Sequence, residues 1–363
     1  MNANIFLGIG LHALGGIAAA TCFVPQKGTA RWSHQSFWIL MCLFSWFIVP
    51  LVVGFITVPH LAKVISETPL AVLFNVTFLG ACYGFGGMAF ALAIRHIGFS
   101  LTYAMAIGIS AVLGTIVPAL IKETLLQDMR MEGGGIVYAG LAVAIIGVAL
   151  CGCAGVFKEN HLSRTSNNKA NFDIRKGLFL VITAGLLSAV FGCSLEAGAS
   201  MDVLANKYGA GIFQGNAKLI FATGGAFFTN LVWFSIVHTK EKTWGEYLCL
   251  SQGKRVLLKN FLLSVLAGIL WYGQFFFYGV GHVYMGEFQF ISWGIHMAML
   301  IFFSFGIGLL FREWQGVCKK TLRTLFVGLL VLLASFGLIT CGSYFGQQAK
   351  ANSSVSGEAQ RGH

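Results

Sequence analysis

Ten apolar stretches of 20 to 26 residues, separated by short polar breaks, decide what this chain can fold into. They run Ile5–Val24, Phe37–Val58, Leu70–Ile94, Ser100–Ile121 and Ile136–Val156, then Gly177–Ala199, Ile212–Val237, Phe261–Gly281, Phe288–Phe311 and Leu325–Phe345. A helix rises about 1.5 Å per residue, so each stretch is long enough for roughly 30 Å of hydrocarbon. Only 10% of the 363 residues are charged, where soluble domains carry roughly 25%, and 56% are hydrophobic. This excludes a cytosolic enzyme, a disordered chain and a nucleic-acid binder, although the formal charge is +11. The expected fold class is an all-α polytopic membrane protein with ten transmembrane helices.

The basic residues orient those helices. Seventeen of the 24 Lys and Arg fall after the first, third, fifth, seventh and ninth stretches, from Lys27 and Arg31 through Arg175 and Lys254 to Arg323. Six lie on the opposite side: Lys63, Lys122, Arg130, Lys207, Lys350 and Arg361. Cytoplasmic loops collect positive charge, so the odd loops are expected inside and both termini in the periplasm. No basic residue precedes the first stretch, which argues against a cleaved signal peptide. The nine cysteines form no CxxC pair and read as small buried hydrophobes.

A basic linker, residues 158–176, divides the stretches five and five. The expected organisation is a first five-helix repeat at 1–157, the cytoplasmic linker, a second repeat at 177–345 and a disordered Gln-, Ser- and Gly-rich tail at 346–363. An odd number of helices per half places the second half upside down, the design of inverted-repeat carriers. At an offset of 188 residues Gly80 meets Gly268, Tyr83 meets Trp271, Ala91 meets Gly279, Gly98 meets Gly286 and Ile107 meets Ile295. The 46 glycines let helix backbones approach closely.

Polar groups in hydrocarbon are costly, so each is a site group or a packing hydrogen bond. His12 lies about 10 Å deep in the first stretch. Gln289, Trp293 and His296 share a face at spacings of four and three. Trp271, Gln274 and Tyr278 share another at i, i+3 and i+7. Glu196, Gln214, Asn216, Lys218, Asn75 and Tyr83 lie toward the same layer, between the midplane and the outer leaflet. Glu196 and Lys218 sit at similar depth on consecutive helices and are read as an ion pair; alternatively Glu196 faces water and Lys218 snorkels. Aromatic rings beside amides and imidazoles suit a neutral polyol, whereas an anion site calls for Arg or several Lys. Phosphate loops, metal-ligand spacings and nucleophile elbows are absent, so no enzyme activity, metal or cofactor is expected.

The stretch LWYGQFFFYGVGH (Leu270 to His282) followed by FISWGIHM (Phe290 to Met297) closely resembles the L-rhamnose–proton symporter family of the drug/metabolite transporter superfamily. The resemblance continues in LHALGGIAAATCFVPQK, which carries His12 and Pro25, and in ALAIRHIGFSLTYAMAIGISAVLGT. It implies a ten-helix inverted-repeat carrier in the bacterial cytoplasmic (inner) membrane, importing L-rhamnose or a close 6-deoxyhexose with a proton. Two positions depart from the pattern. Gln289 stands where the family's best-known sequences have Asp, and Glu196 where an amide is common.

On this reading Trp271, Gln274, Gln289, Trp293, His296, Tyr83 and Asn75 bind substrate. His12 carries the proton, because imidazole titrates nearest neutral pH, with Glu196 as the other candidate. H+ is the coupling ion and no cofactor is needed. The partners are a small neutral sugar and the bilayer, with no nucleic acid and no obligatory protein partner. A competing reading is an exporter of amino acids, metabolites or drugs, the commoner role in the superfamily.

Overall fold

The computed structural model describes residues 5–121, 123, 125–165, 173–248, 253–285 and 292–361. Among them no strand occurs. The first half contains α1 (Ile5–Thr21), α2 (His34–Leu43), a π-helical turn (Phe44–Ile48), α3 (Val49–Thr57), α4 (Leu61–Glu67), α5 (Leu70–Ile97), α6 (Phe99–Ile121), α7 (Leu125–Arg130) and α8 (Gly134–Thr165). The second contains α9 (Ile174–Ala197), α10 (Ala199–Lys207), α11 (Asn216–Glu241), α12 (Lys254–Tyr284), α13 (Ser292–Leu310) and α14 (Lys319–Arg361). Each apolar stretch holds a helix. Among the described residues seven helical segments are long and apolar enough to cross a membrane: His34–Thr57, Leu70–Ile97, Gly134–His161, Ile174–Lys207, Gly211–Glu241, Lys254–Tyr284 and Lys319–Gly346. Three shorter apolar helices accompany them, Ile5–Thr21, Phe99–Leu113 and Ile295–Leu310. The outer faces are apolar too: Ile56, Phe74, Phe179 and Phe302 are each at least 64% exposed. Such a belt belongs against lipid, and the chain is a multi-pass membrane protein.

Helix ends differ from the sequence expectation for local reasons. α1 stops at Thr21, short of Val24, because Pro25 has no N–H to offer the Thr21 carbonyl. Val24 N–H takes that carbonyl instead at 2.9 Å, and a 3-10 turn follows at Pro25–Gly28. α6 begins immediately after Gly98 (φ +85°), with its first N–H groups, Phe99 and Ser100, donated to the Glu313 carboxylate at 2.8 and 3.4 Å. A carboxylate there satisfies unpaired donors and meets the positive end of the helix. α14 continues to Arg361, where disorder was expected from residue 346. Gln347, Gln348, Ala349, Lys350 and Ala351 are all good helix formers. The short α4, α7 and α10 lie between the apolar stretches and carry no long periodic signal. α4 and α10 meet through Leu61, Val64, Met201 and Ala205.

The long helices pack in a regular pattern. α5 lies against α9 and α11, while α12 lies against α1 and α2. α6 lies against α9 and α13 against α1; α8 and α14 pair with each other. Glycines set the closest approaches. A Cβ on Gly80 would stand 2.0 Å from the Ala222 carbonyl oxygen of α11, and one on Gly268 would stand 2.6 Å from Phe44 Cβ and 2.9 Å from Ser45 N. Backbone cannot step aside as a side-chain tip can. Gly80→Val is therefore expected to cost more than the roughly 1–3 kcal/mol of ordinary overpacking. The melting temperature of the detergent-purified protein should fall by several degrees; a wild-type melting curve would refute the close approach.

Candidate functional site

A cavity of about 600 Å³ lies inside the bundle, walled by α1, α2, the π-helical turn, α5, α6, α9, α12 and α13. Its core is a ring of aromatics. Trp271 meets Trp46 at 5.3 Å between ring centroids, Tyr83 at 6.4 Å and Phe275 at 5.2 Å; Tyr83 meets Phe191 at 4.4 Å. Trp46 comes from the π-helical turn, a distortion that often marks functional positions. Gly87 leaves it room, since a Cβ there would stand 2.8 Å from the Trp46 ring. Gln274, His296, Ser110, Ser188 and Glu196 add the polar groups of the wall. The cavity reaches the last turns of α9, where Gly192, Cys193 and Glu196 are exposed.

Of the residues expected from sequence to bind substrate, the structure brings Trp271, Gln274, His296 and Tyr83 to this cavity. It does not bring Asn75, which is exposed on α5 away from the wall, one position before the fully buried Val76. Gln289 and the side chain of Trp293 lie outside the described residues.

His12 stands one layer behind the wall. It is fully buried, and neither ring nitrogen has a hydrogen-bond partner among the described residues. Its ring centroid is 5.5 Å from Tyr278 and 5.9 Å from His296, while Tyr278 is 5.2 Å from His296 and 5.9 Å from His282. Gly15 makes this cluster possible. A Cβ on it would stand 2.9 Å from His296 Cε1 and 3.1 Å from the Gln274 carbonyl oxygen. The two histidines assigned different roles from sequence are thus neighbours, and only His296 lines the cavity.

The expected Glu196–Lys218 pair is corrected. Lys218 Nζ lies 2.5 Å from Asp202 Oδ2, and both side chains are about one-fifth exposed, at 18% and 21%. α10 supplies this acid; it carries Asp202 against α11, and Gly198 lets the Lys218 stem pack close by. Glu196 instead lines the mouth of the cavity. Sequence reasoning missed Asp202 because it sits on a nine-residue helix outside the apolar stretches. It missed Trp46 because nothing in the sequence marks the π-helical turn.

A family model described as L-rhamnose-proton symport protein (RhaT) matches residues 1–343. The chain belongs to the L-rhamnose–proton symport family. The L-rhamnose-proton symporter of Pectobacterium atrosepticum is 30% identical over 344 residues, which cover 94% of this chain and 99% of that protein. Those of Yersinia pestis and Yersinia pseudotuberculosis match with the same identity and coverage. Members of this family are carriers and not enzymes, consistent with a site made of rings, amides and imidazoles.

Proposed function

We propose that this chain imports L-rhamnose, or a closely related 6-deoxyhexose, together with a proton across the bacterial cytoplasmic membrane. The observation that carries the reading is the placement of Gln274 and His296 on an aromatic-walled cavity, with His12 directly behind His296 in a chain of this family. The sugar's C–H face and C6 methyl stack on Trp271, and its hydroxyls bond to Gln274 and His296. The symporter names of the relatives set the exporter reading aside.

The coupling follows from the histidine pair. Two positive charges about 6 Å apart repel by about 3 kcal/mol at an effective dielectric constant near 20, so the pair is suited to hold one proton and not two. Tyr278 and His282 are the other titratable groups of this cluster. A sugar that engages His296 leaves the proton to His12, so binding and protonation assist one another.

Ten membrane spans are assigned to α1, α2–α3, α5, α6, α8, α9, α11, α12, α13 and α14, in two inverted halves with both termini periplasmic. The helix pairing supports this. Replacing each span by the one five later turns α5 on α9 into α12 on α1, α5 on α11 into α12 on α2, and α6 on α9 into α13 on α1. Gly80 and Gly268 make matching close approaches at two of these interfaces. The Lys and Arg excess of the odd loops supports an outside position for the α9 end of the cavity, and in that orientation this conformation opens outward. Uptake of radiolabelled L-rhamnose by cells expressing the protein, with a proton uncoupler as control, tests the whole reading. Uptake indifferent to the uncoupler, or none above empty-vector cells, refutes it.

A further inference from the structure

A second cavity, of about 410 Å³, lies at the end of the bundle that carries Lys27 and Arg95, the end the loop charges place in the cytoplasm. Gln26, Thr29, Ser33 and His34 give it amide, hydroxyl and imidazole walls. It shares one lining residue with the central cavity. That residue is Phe23, itself buried.

Phe23 is the middle ring of a three-ring stack. Trp38 stacks with it at 5.8 Å and an interplanar angle of 2°, and Phe90 at 5.8 Å and 28°. The outer rings are braced. Trp38 Nε1 donates to Asn230 Oδ1 at 2.7 Å, and Asn230 Nδ2 donates to the carbonyls of Gly84 and Ala226 at 3.0 and 2.9 Å. Phe90 stands edge-on to Tyr103 at 4.8 Å, and the Tyr103 hydroxyl donates to the Ala19 carbonyl. Phe23 has a hydrocarbon ring with no polar tether, and its backbone lies in the turn between the end of α1 at Thr21 and the 3-10 helix at Pro25. It is the stack member whose backbone lies outside a helix, where a change of the turn can move the ring.

We infer that Phe23 is the inner gate of the carrier, and that the second cavity is the vestibule through which the sugar leaves for the cytoplasm; the vestibule's cargo rests on the import reading above. The face beyond it is closed a second time. The Glu246 carboxylate accepts from Ser33 N–H at 2.7 Å, Ser33 Oγ at 2.9 Å and Ser36 Oγ at 2.6 Å, fastening the connection after α11 to the start of α2. In this conformation the central cavity is therefore shut toward the cytoplasm by a ring stack and a carboxylate clasp. Release requires both to yield, with Phe23 turning out of the stack so that the sugar passes to the hydroxyls of the vestibule.

Cys22, buried beside Phe23 on the central cavity wall, reports on the gate without any sugar. In vesicles exposing the cytoplasmic face, a charged methanethiosulfonate is added and modification of the Cys22 peptide is followed by mass spectrometry. Phe23→Ala is expected to speed this modification at least tenfold over wild type, while Phe23→Trp does not speed it. In proteoliposomes under an imposed pH gradient the same Phe23→Ala carrier should accumulate at least fivefold less L-rhamnose and keep more than half its exchange rate. Cys22 modification at the wild-type rate in Phe23→Ala overturns the gate. Exchange and accumulation falling together, with Cys22 still protected, mark a merely structural ring and overturn it too. Faster Cys22 modification in the variant, with a wild-type protein that neither exchanges nor accumulates L-rhamnose, keeps the gate and refutes the import reading. Should Phe23→Ala fail to insert, Phe23→Leu is held to the same outcomes.

Discussion

Replacing His12 with Gln is expected to leave a carrier that exchanges L-rhamnose across proteoliposomes but no longer concentrates it. Symport needs a group that takes a proton facing outward and releases it facing inward, and imidazole does so nearest neutral pH. His12 is buried behind His296 with no partner for either ring nitrogen among the described residues, so a proton there acts on the His296 ring of the proposed sugar site as well as on Tyr278 beside it. With one proton per sugar, a gradient of one pH unit is worth about 1.4 kcal/mol, an accumulation of up to about tenfold. Gln keeps much of the ring's bulk and polarity and cannot carry the proton. The accumulation ratio should fall to about one while exchange persists. Normal accumulation in the variant acquits His12, and Glu196→Gln becomes the next carrier to assay.

The second large effect concerns the sugar itself. Gln274→Leu leaves sugar hydroxyls unpaired against an aromatic wall, a loss of about 1–3 kcal/mol per contact, and binding should weaken tenfold or more. Trp271→Ala removes the ring that touches Trp46, Tyr83 and Phe275 at once and should weaken binding at least as much. Large-to-small changes at buried tryptophan also cost about 3–5 kcal/mol of stability, so this variant needs a melting curve beside its binding isotherm. Calorimetric titration of L-rhamnose into each purified carrier gives the isotherm, and a thermal scan of the same sample gives the melting curve. Unchanged affinity in Gln274→Leu and Trp271→Ala alike moves the site elsewhere.

Much of this was legible because membrane helices announce themselves. Length and apolarity placed a helix on every stretch, and helical spacing put Trp271 and Gln274 on one face. What spacing could not give was depth across helices. Asn75 belongs to the same helix as Tyr83 but stands about 12 Å further along its axis, exposed and off the cavity wall. Lys218 was matched to Glu196 because both lie in long apolar stretches. Its partner Asp202 sits on α10, a helix too short to show a period. Trp46 depends on a π-helical turn, where one extra residue rotates the face that follows, and no residue type in Phe44–Ile48 demands it. Phe23 owes its place to Pro25: the proline was visible, the ring stack beyond it was not.

The regular helix pairing bears on energetics as well as shape. On the proposed ten-span assignment the pairs recur under a shift of five spans, so the opposite-facing carrier would be built from contacts of the same kinds. Let each half adopt the bend now held by the other: the mouth at Cys193 and Glu196 shuts, and the passage at Phe23 opens. Two poses so alike in packing lie close in free energy, and a small difference in ligand affinity suffices to tip one into the other. On that assignment the carrier would work as a balance and not as a spring, storing little strain in either pose. A substitution that strengthens the Glu246 clasp should make the purified protein hardier and its turnover slower, since weight added to one pan is lifted on every cycle.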